Sequence, residues 1–573
     1  MAPAEVCKPP LALPESLWHA FLAAADQDPN GFIYDVMFQP AEHLEFLKVS
    51  SKNEDTWLRW TYADLMNATI RMAAGFEERG VQRGSFLLTF MPNGIERELL
   101  SWVAVALQLT IVPLDEGLLR EGREDELKHY VTSVSPDIVV VGDENRAKGW
   151  ERLFDAGTGL RLCLQPVTRS YWQVFAEVAS TKPQDEVYAL ISKQDEELEQ
   201  NKQRVQAILF TSGTSIGRPK GCPLTVRGFL HTAASHGCWR GSPRSVVLST
   251  ANFRSLTALI PIVSVQCHTE IIIADTGFSP ATTLEAVEKR KAAAIISLPF
   301  QIKCFRDEIK RRRYQLDTVR DVMIGGDVIT VDVFDKAKNV FPNAFVYTAH
   351  AMTETAGILG HFGADPDMPY RTFGSIVNSG KVQPGGMLRI VDENGQVVER
   401  NQIGELHLGG NAICRPYWSG VQPEAFYEDE KGRWLVTGDR AMLDEDDYLF
   451  VVGRSKDIIK FKQISLSPAV IASTLNKHEG IHATVFGMPH SLYGEVPTAV
   501  VAEAQSANDR EKIKVIVQDS LGPDYALHEV YTLGDLGLKS FPINPTGKIV
   551  NLKLKEAVMS LRARRDSALN GKS

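Results

Sequence analysis

Apolar residues arrive along this chain in short consecutive runs more often than in alternation. "SFLLTF", "DIVVVG", "QAILFT", "SVVLST", "EIIIAD", "AAIISL", "VRDVMIGG" and "NAFVYT" are rich in Val, Ile, Leu and Phe, and each is only a few residues long. Consecutive apolar positions predict strands buried on both faces, as in a parallel sheet covered by helices. Helix-length segments separate many of these runs. "SPATTLEAVEKRKA" opens with a Ser cap and a Pro and then carries apolar residues at helical spacing. The longest apolar region, "LLSWVAVALQLTIVPL", is broken by Ser, Gln, Thr and Pro and flanked by Glu98 and Asp115. It reads as a buried helix running into a strand, too short and too polar to span a membrane. Residues up to 453 therefore read as a large α/β body.

The pattern changes between about 380 and 453. Turn signals crowd in ("QPGG", "DENGQ", "HLGG", "DEKGRW", "DEDDY"), with short segments such as "MLRIV", "GELHL" and "WLVTG" between them. This predicts antiparallel strands in a small barrel-like subdomain that closes off the body. After "GRSKD" the chain restarts as a small α+β unit. A helix is expected near Pro468 to Asn476, strands at "HATVFGM" and "PTAVVAEA", a helix near Asp509 to Ser520, and a strand at "HEVYTL". The expected organisation is α/β, with domains at 1–453 and 454–573; the second is long enough to fold as its own unit.

Composition narrows the function classes. Hydrophobic residues are 44% and charged residues 23% of the 573, as in soluble globular chains. The net charge of −9 does not attract nucleic acid or an anionic membrane. The one basic cluster, Lys310 to Tyr314, ends a helical stretch, where cations suit the dipole. Seven scattered cysteines with no CxxC pair suit reduced thiols rather than a disulfide framework or a zinc site. No secretory signal and no terminal SKL are seen, so a cytoplasmic location is expected.

The chemistry starts at "FTSGTSIGRPKG", Phe210 to Gly221, directly after a strand-like run. Its glycines let the backbone approach a ligand, and successive amide groups can form an anion-binding concavity. Thr211, Ser212, Thr214 and Ser215 add hydroxyl donors, Gly213 and Gly217 add freedom, and Lys220 adds a mobile positive charge. A polyphosphate guest is inferred. The Walker pattern is absent, because Gly221, not Ser or Thr, follows Lys220.

This string closely resembles the phosphate loop of the adenylate-forming superfamily, which contains acyl- and aryl-CoA synthetases, peptide-synthetase adenylation domains and firefly-type luciferases. Four further motifs follow in the family's order: "YTAHAMTE" (Tyr347 to Glu354), "WLVTGD" (Trp434 to Asp439), "GRSKDIIKFK" (Gly453 to Lys462) and "NPTGKI" (Asn544 to Ile549). The match is closest to the stand-alone AMP-dependent acyl-CoA ligases. The resemblance implies a large body of parallel α/β subdomains and a mobile C-terminal lid.

It also implies roles. Thr353 donates to a phosphate and Glu354 coordinates Mg²⁺. Gly325 and Gly326, with His350, Ala351 and Met352, form the adenine side. Asp439 holds the ribose hydroxyls, as an ionised carboxylate only accepts, and Arg454 helps hold the nucleotide. Lys456 is the hinge, and Lys548, on its flexible loop, is the catalytic lysine, with Lys460 beside it among the catalytic residues. Asn252, Phe253, Thr348 and Ala349 are acid-pocket candidates. The implied reaction joins a carboxylate to the α-phosphorus of ATP, releases pyrophosphate, and passes the acyl group to a thiol.

The chain departs from the family at four places. His350 and Ala351 replace a tyrosine and a glycine, and Gln463 replaces the glycine lining the path of the thiol. Val470 and Ala472 replace two glutamates. Asn252 stands where the CoA ligases carry a histidine. Few residues follow Lys548, so the acceptor is expected to be free CoA or the phosphopantetheine of a separate carrier protein. The alternative outside catalysis is a nucleotide-binding protein without activity. Retention of Lys220, Glu354, Asp439, Arg454 and Lys548 speaks against it.

Overall fold

All eight apolar runs form strands, and they divide between two seven-stranded sheets. The structure is a computed structural model. It describes residues 2–10, 12–49, 56–155, 157, 159–168, 171–181, 201–211, 219–235, 245–248, 265, 268–355, 357–358, 371–418, 420–462, 464–503, 507–543 and 549–570.

The first sheet runs in the order Lys220–Thr225, Val205–Thr211, Thr110–Pro113, Phe86–Phe90, Ile138–Val141, Leu160–Cys163, Gln173–Val174. Its pairs are parallel except the first, an antiparallel hairpin. The second runs Phe345–Ala349, Asp321–Gly325, Ala294–Ser297, Ser245–Leu248, Glu270–Ile273, Phe32–Pro40, Trp57–Thr61, parallel except for its last pair. Ile138, Val139, Val140 and Val141 are each 0% exposed, which is why the run never alternates.

The long apolar region is the helix Ile95–Ala106 followed by the strand Thr110–Pro113. Every residue of that helix is buried. One core cluster joins its Leu99, Trp102 and Val103 to Leu87 and Ile138 of the first sheet and Ile271 and Ala294 of the second. The first turn of the helix buries charge as well, with Arg97 Nη1 2.6 Å from Glu98 Oε1 and Glu96 paired with His43. The expected helix at 280 is Pro280–Arg290, with the Ser279 side chain accepting from the Thr282 amide. The basic cluster spans the end of the helix Pro299–Arg311, and just past it Arg312 pairs with Glu285 and Glu288.

The turn-rich stretch forms an antiparallel sheet: Glu5–Cys7, Gly386–Val391, Ile403–Gly410, then Gly432–Leu443. The far edge of Gly432–Leu443 is shared by Phe426–Asp429 and Leu449–Arg454. Beyond Arg454 the pairing starts afresh in a five-stranded sheet built from Ile459–Phe461, Ile464–Leu466, Ala483–His490, Gly494–Val501 and Glu529–Thr532. Helices Pro468–Asn476, Ala507–Leu521 and Asn551–Asn570 accompany it. This unit has its own core around Val485, Val500 and Leu554.

Three contacts seat this unit on the helices of the second parallel sheet. Lys303 Nζ meets His482 Nδ1, Lys336 Nζ donates to the Asn476 carbonyl at 3.3 Å, and Lys310 Nζ lies 4.0 Å from Glu479. Among the described residues, no helix is long and apolar enough to cross a membrane.

Candidate functional site

The opening loop caps a hairpin. Thr211 ends one strand and Lys220 begins the next, and the two face each other in register. Ser212, Gly213, Thr214, Ser215 and Gly217 lie outside the described residues, as do Asn252, Phe253, Gln463 and Lys548.

Lys220 is buried at the mouth of the hairpin. Its ammonium donates to Gln422 Oε1 and lies 5.0 Å from the centre of the Tyr417 ring. Burial draws its pKa below the usual lysine value, and the nearby Glu354 charge opposes that shift. Glu354 sits in the turn Thr353–Thr355, next to Thr353, and is itself buried. The Tyr417 hydroxyl donates to Glu354 Oε1 at 2.8 Å. Burial, and then the adjacent Glu354 carboxylate, push the tyrosine phenol well above its ordinary range, so it stays a donor.

Tyr417 therefore ties together the lysine of one motif and the glutamate of another. Backbone bonds hold it there. Cys414 N donates to the Glu354 carbonyl at 2.7 Å, Arg415 N to the Pro223 carbonyl at 3.2 Å, and Trp418 N to the Gly221 carbonyl at 2.8 Å. Sequence reasoning missed both Tyr417 and Gln422. A Tyr and a Gln in a loop carry no distinctive spacing, and only the approach of residues 414–422 to the hairpin reveals them. Tyr417→Phe leaves Glu354 Oε1 short of a buried donor, a loss of about 1–3 kcal/mol. We expect the apparent affinity for nucleotide to fall about tenfold, read by titration of ATP with the Mg²⁺ concentration held constant.

The other half of the cluster lies where strands end. Gly325 and Ala349 are partners at the last rung of a parallel pair. A Cβ at Gly325 would stand 2.9 Å from the Ala349 carbonyl oxygen, and Gly326 has φ +87°. Both positions need glycine, and both leave backbone open at the carboxyl edge of the sheet, where open α/β sheets bind ligands. Thr348 is buried and its hydroxyl donates to the Asn378 carbonyl. Ala349 is 4% exposed. Ala351 and Met352 pair with Ile358 and Gly357. The Met352 side chain packs into the core of the antiparallel sheet, leaving only its backbone for the site.

Asp439 and Arg454 face each other across adjacent antiparallel strands. Arg454 Nε lies 2.9 Å from Asp439 Oδ1, and its terminal nitrogen donates to the Thr437 carbonyl at 2.8 Å. His350 Nε2 lies 3.8 Å from the other carboxylate oxygen. Gly438, at φ +71°, lies within the strand next to Asp439, where pairing with Ile403–Gly410 slips register between Glu405 and His407. Lys456 follows in a turn; burial lowers its pKa, as do the charges of Arg454, Lys220 and Lys555.

Lys555, near the start of the helix Asn551–Asn570, is thus close enough for its charge to act on Lys456. The loop carrying Lys548 is closed at its base by pairing of Ile543 with Ile549 and by Val550 N donating to the Pro542 carbonyl at 2.7 Å. Lys460 is not drawn into the cluster. It is exposed on Ile459–Phe461, its backbone N–H donating to Glu495 Oε2 at 2.9 Å.

The chain is similar to known proteins over most of its length. The profile of the AMP-binding enzyme family matches residues 39–418. The chain is similar to the acyl–CoA ligase GME11374 of Pestalotiopsis microspora, 29% identical over 97% of this chain and 98% of that one. It is also similar to the acyl-CoA ligase sidI of Aspergillus fumigatus, 25% identical over 89% and 88% of the two chains. Among solved structures, ATP-bound MatB from Rhodopseudomonas palustris has the same fold, with a TM-score of 0.74 at 20% identity over 94% of this chain and 98% of that one.

Proposed function

Because this chain belongs to the AMP-binding enzyme family, we propose that it joins a carboxylic acid to AMP and then passes the acyl group to the thiol of CoA. It is an AMP-forming acid–thiol ligase. The observation that carries this reading is the Tyr417 bridge, which holds the phosphate-loop lysine and Glu354 in one cluster.

The parts divide the work. Thr211, Ser212, Gly213, Thr214, Ser215, Gly217 and Lys220 cradle the β- and γ-phosphates, while Thr353 donates to a phosphate oxygen. The backbone at Gly325, Gly326, Ala351 and Met352 flanks the adenine, and Asp439 accepts from the ribose. Asn252, Phe253, Thr348 and Ala349 border the acid. Thr348 contributes its backbone and methyl group there, since its hydroxyl is engaged by Asn378.

Among the described residues no cluster of three His, Cys, Asp or Glu could hold a metal by protein groups alone. A single carboxylate, with one oxygen engaged by Tyr417, fits an ion completed by phosphate and water, as Mg²⁺ prefers. Glu354 would hold it, and the ion would neutralise phosphate charge as pyrophosphate leaves.

The domains in this reading are 1–453 and 454–573, with Lys456 as the hinge. Pairing that ends at Arg454 and restarts at Ile459 supports that division. Rotation about a few backbone dihedrals is a known form of domain switching. Lys548 enters for the adenylation step and leaves with the lid. Lys460 is exposed here and would approach the site only after such a rotation.

A second reading keeps adenylation and changes the acceptor to the phosphopantetheine of a separate carrier protein. Gln463, where CoA ligases carry glycine, favours it. Acids incubated with ATP and Mg²⁺ should yield hydroxamate when hydroxylamine is present, and a thioester when CoA replaces hydroxylamine. Hydroxamate without CoA thioester would select the carrier; neither product with any acid would reject both readings.

A further inference from the structure

His350 stands where the family places a flat aromatic phenol, and its neighbours give it a task a phenol lacks. Asp439 is buried, and each of its oxygens has a nitrogen group beside it. Arg454 Nε is 2.9 Å from Oδ1, and His350 Nε2 is 3.8 Å from Oδ2. Thr437 steadies the pair from both sides, its hydroxyl accepting from Asp439 N at 3.0 Å and its carbonyl accepting from Arg454. The carboxylate is thus fixed, with Arg454 committed to one oxygen.

Resting on the assignment of Asp439 to the ribose, we propose that His350 controls access to that carboxylate. Neutral imidazole leaves Oδ2 to the ribose hydroxyls, whereas imidazolium claims Oδ2 as an ion pair and weakens binding of ribonucleotides.

Among the described residues, charged side chains reach this corner from several elements. Asp439 comes from Gly432–Leu443, Arg454 from the end of Leu449–Arg454, and Lys456 from the turn after it; Glu354 and Lys220 lie across the cluster. Arg454 and Lys456 oppose a further positive charge, and Asp439 favours it. Of the described side chains at this corner, only an imidazole ordinarily titrates between pH 5 and 8. A tyrosine at this position would stay neutral throughout that range.

The KM for ATP, measured by acid-dependent pyrophosphate exchange, should therefore rise severalfold, up to about tenfold, between pH 7.5 and 5.5, the range over which imidazoles gain a proton. 2′,3′-Dideoxy-ATP has the same phosphates and base but no hydroxyls to offer Asp439. Its KM should change less than twofold beyond what phosphate titration produces in both nucleotides. In His350→Phe the excess for ATP should vanish.

Equal pH slopes for the two nucleotides, or an excess that persists in His350→Phe, would overturn the proposal. Calorimetry of AMP and 2′,3′-dideoxy-AMP on the unaltered enzyme at both pH values gives the same contrast without a mutation. Absence of exchange with every acid at pH 8 would instead reject the ligase reading itself, so the two failures are distinct.

Discussion

Lys548→Ala should cut acyl-adenylate formation by about 10²–10³-fold, the range for one pre-placed charge donor, and leave ATP binding within a few-fold. In the proposed reading the phosphates keep Lys220 and the ribose keeps Asp439, so the ground state should lose little. The transition state loses a positive charge delivered to the carboxylate and α-phosphate, where negative charge is shared. The loss should appear in kcat and kcat/KM together, as expected for an interaction made mainly in the transition state. The root of the Lys548 loop is clasped by Ile543 and Ile549, and Lys555 on the following helix lies near enough to Lys456 to influence it. Rapid-quench measurement of acyl-AMP, with AMP affinity measured in parallel, separates the two effects. Normal adenylate formation in Lys548→Ala would remove the residue from the mechanism.

Glu354→Gln should be nearly as damaging, with a fall of about 10²-fold in pyrophosphate exchange and a marked rise in the Mg²⁺ needed for half-maximal rate. The amide oxygen can still accept from Tyr417, so the buried contact at 2.8 Å survives and the fold is expected to tolerate the change. What disappears is charge. Lys220 loses the carboxylate that opposes its burial, so its pKa moves further down. Its positive charge at the phosphates then weakens as pH rises. The variant should lose activity at high pH more steeply than the parent, and thermal melts of the two proteins test whether the fold is intact. A Mg²⁺ requirement equal to that of the parent would take Glu354 out of ion binding.

Much of this fold is written in local pattern. The run "DIVVVG" is buried on both faces and was readable as such, and Ser279 with Pro280 announces its helix. The C-terminal unit is also legible, since its strands pair with sequence neighbours: Ala483–His490 lies beside Gly494–Val501. Strands with partners distant in sequence were harder. Phe32–Pro40 joins the second sheet beside Glu270–Ile273, and no local signal indicates a partner so far along the chain. "WLVTG" looks like a short strand, but Gly432–Leu443 continues through Gly438 because two different strands share its edge.

The site divides in the same way. Lys220, Glu354, Asp439 and Arg454 were singled out by their motifs, and the structure brings them into contact in two groups. Tyr417 and Gln422 join the first group by position alone. Met352 and Thr348 lie in motif-like stretches, yet one side chain faces the core and the other is bonded to Asn378.

The central claim is that an acid is activated by bonding to phosphorus over the Lys220–Tyr417–Glu354 cluster. The direct measurement is exchange of labelled pyrophosphate into ATP across a panel of aliphatic and aromatic acids, without any thiol present. The account predicts exchange that requires the acid and ATP and does not require CoA. Exchange that is absent with every acid, or that proceeds equally well without one, would contradict it.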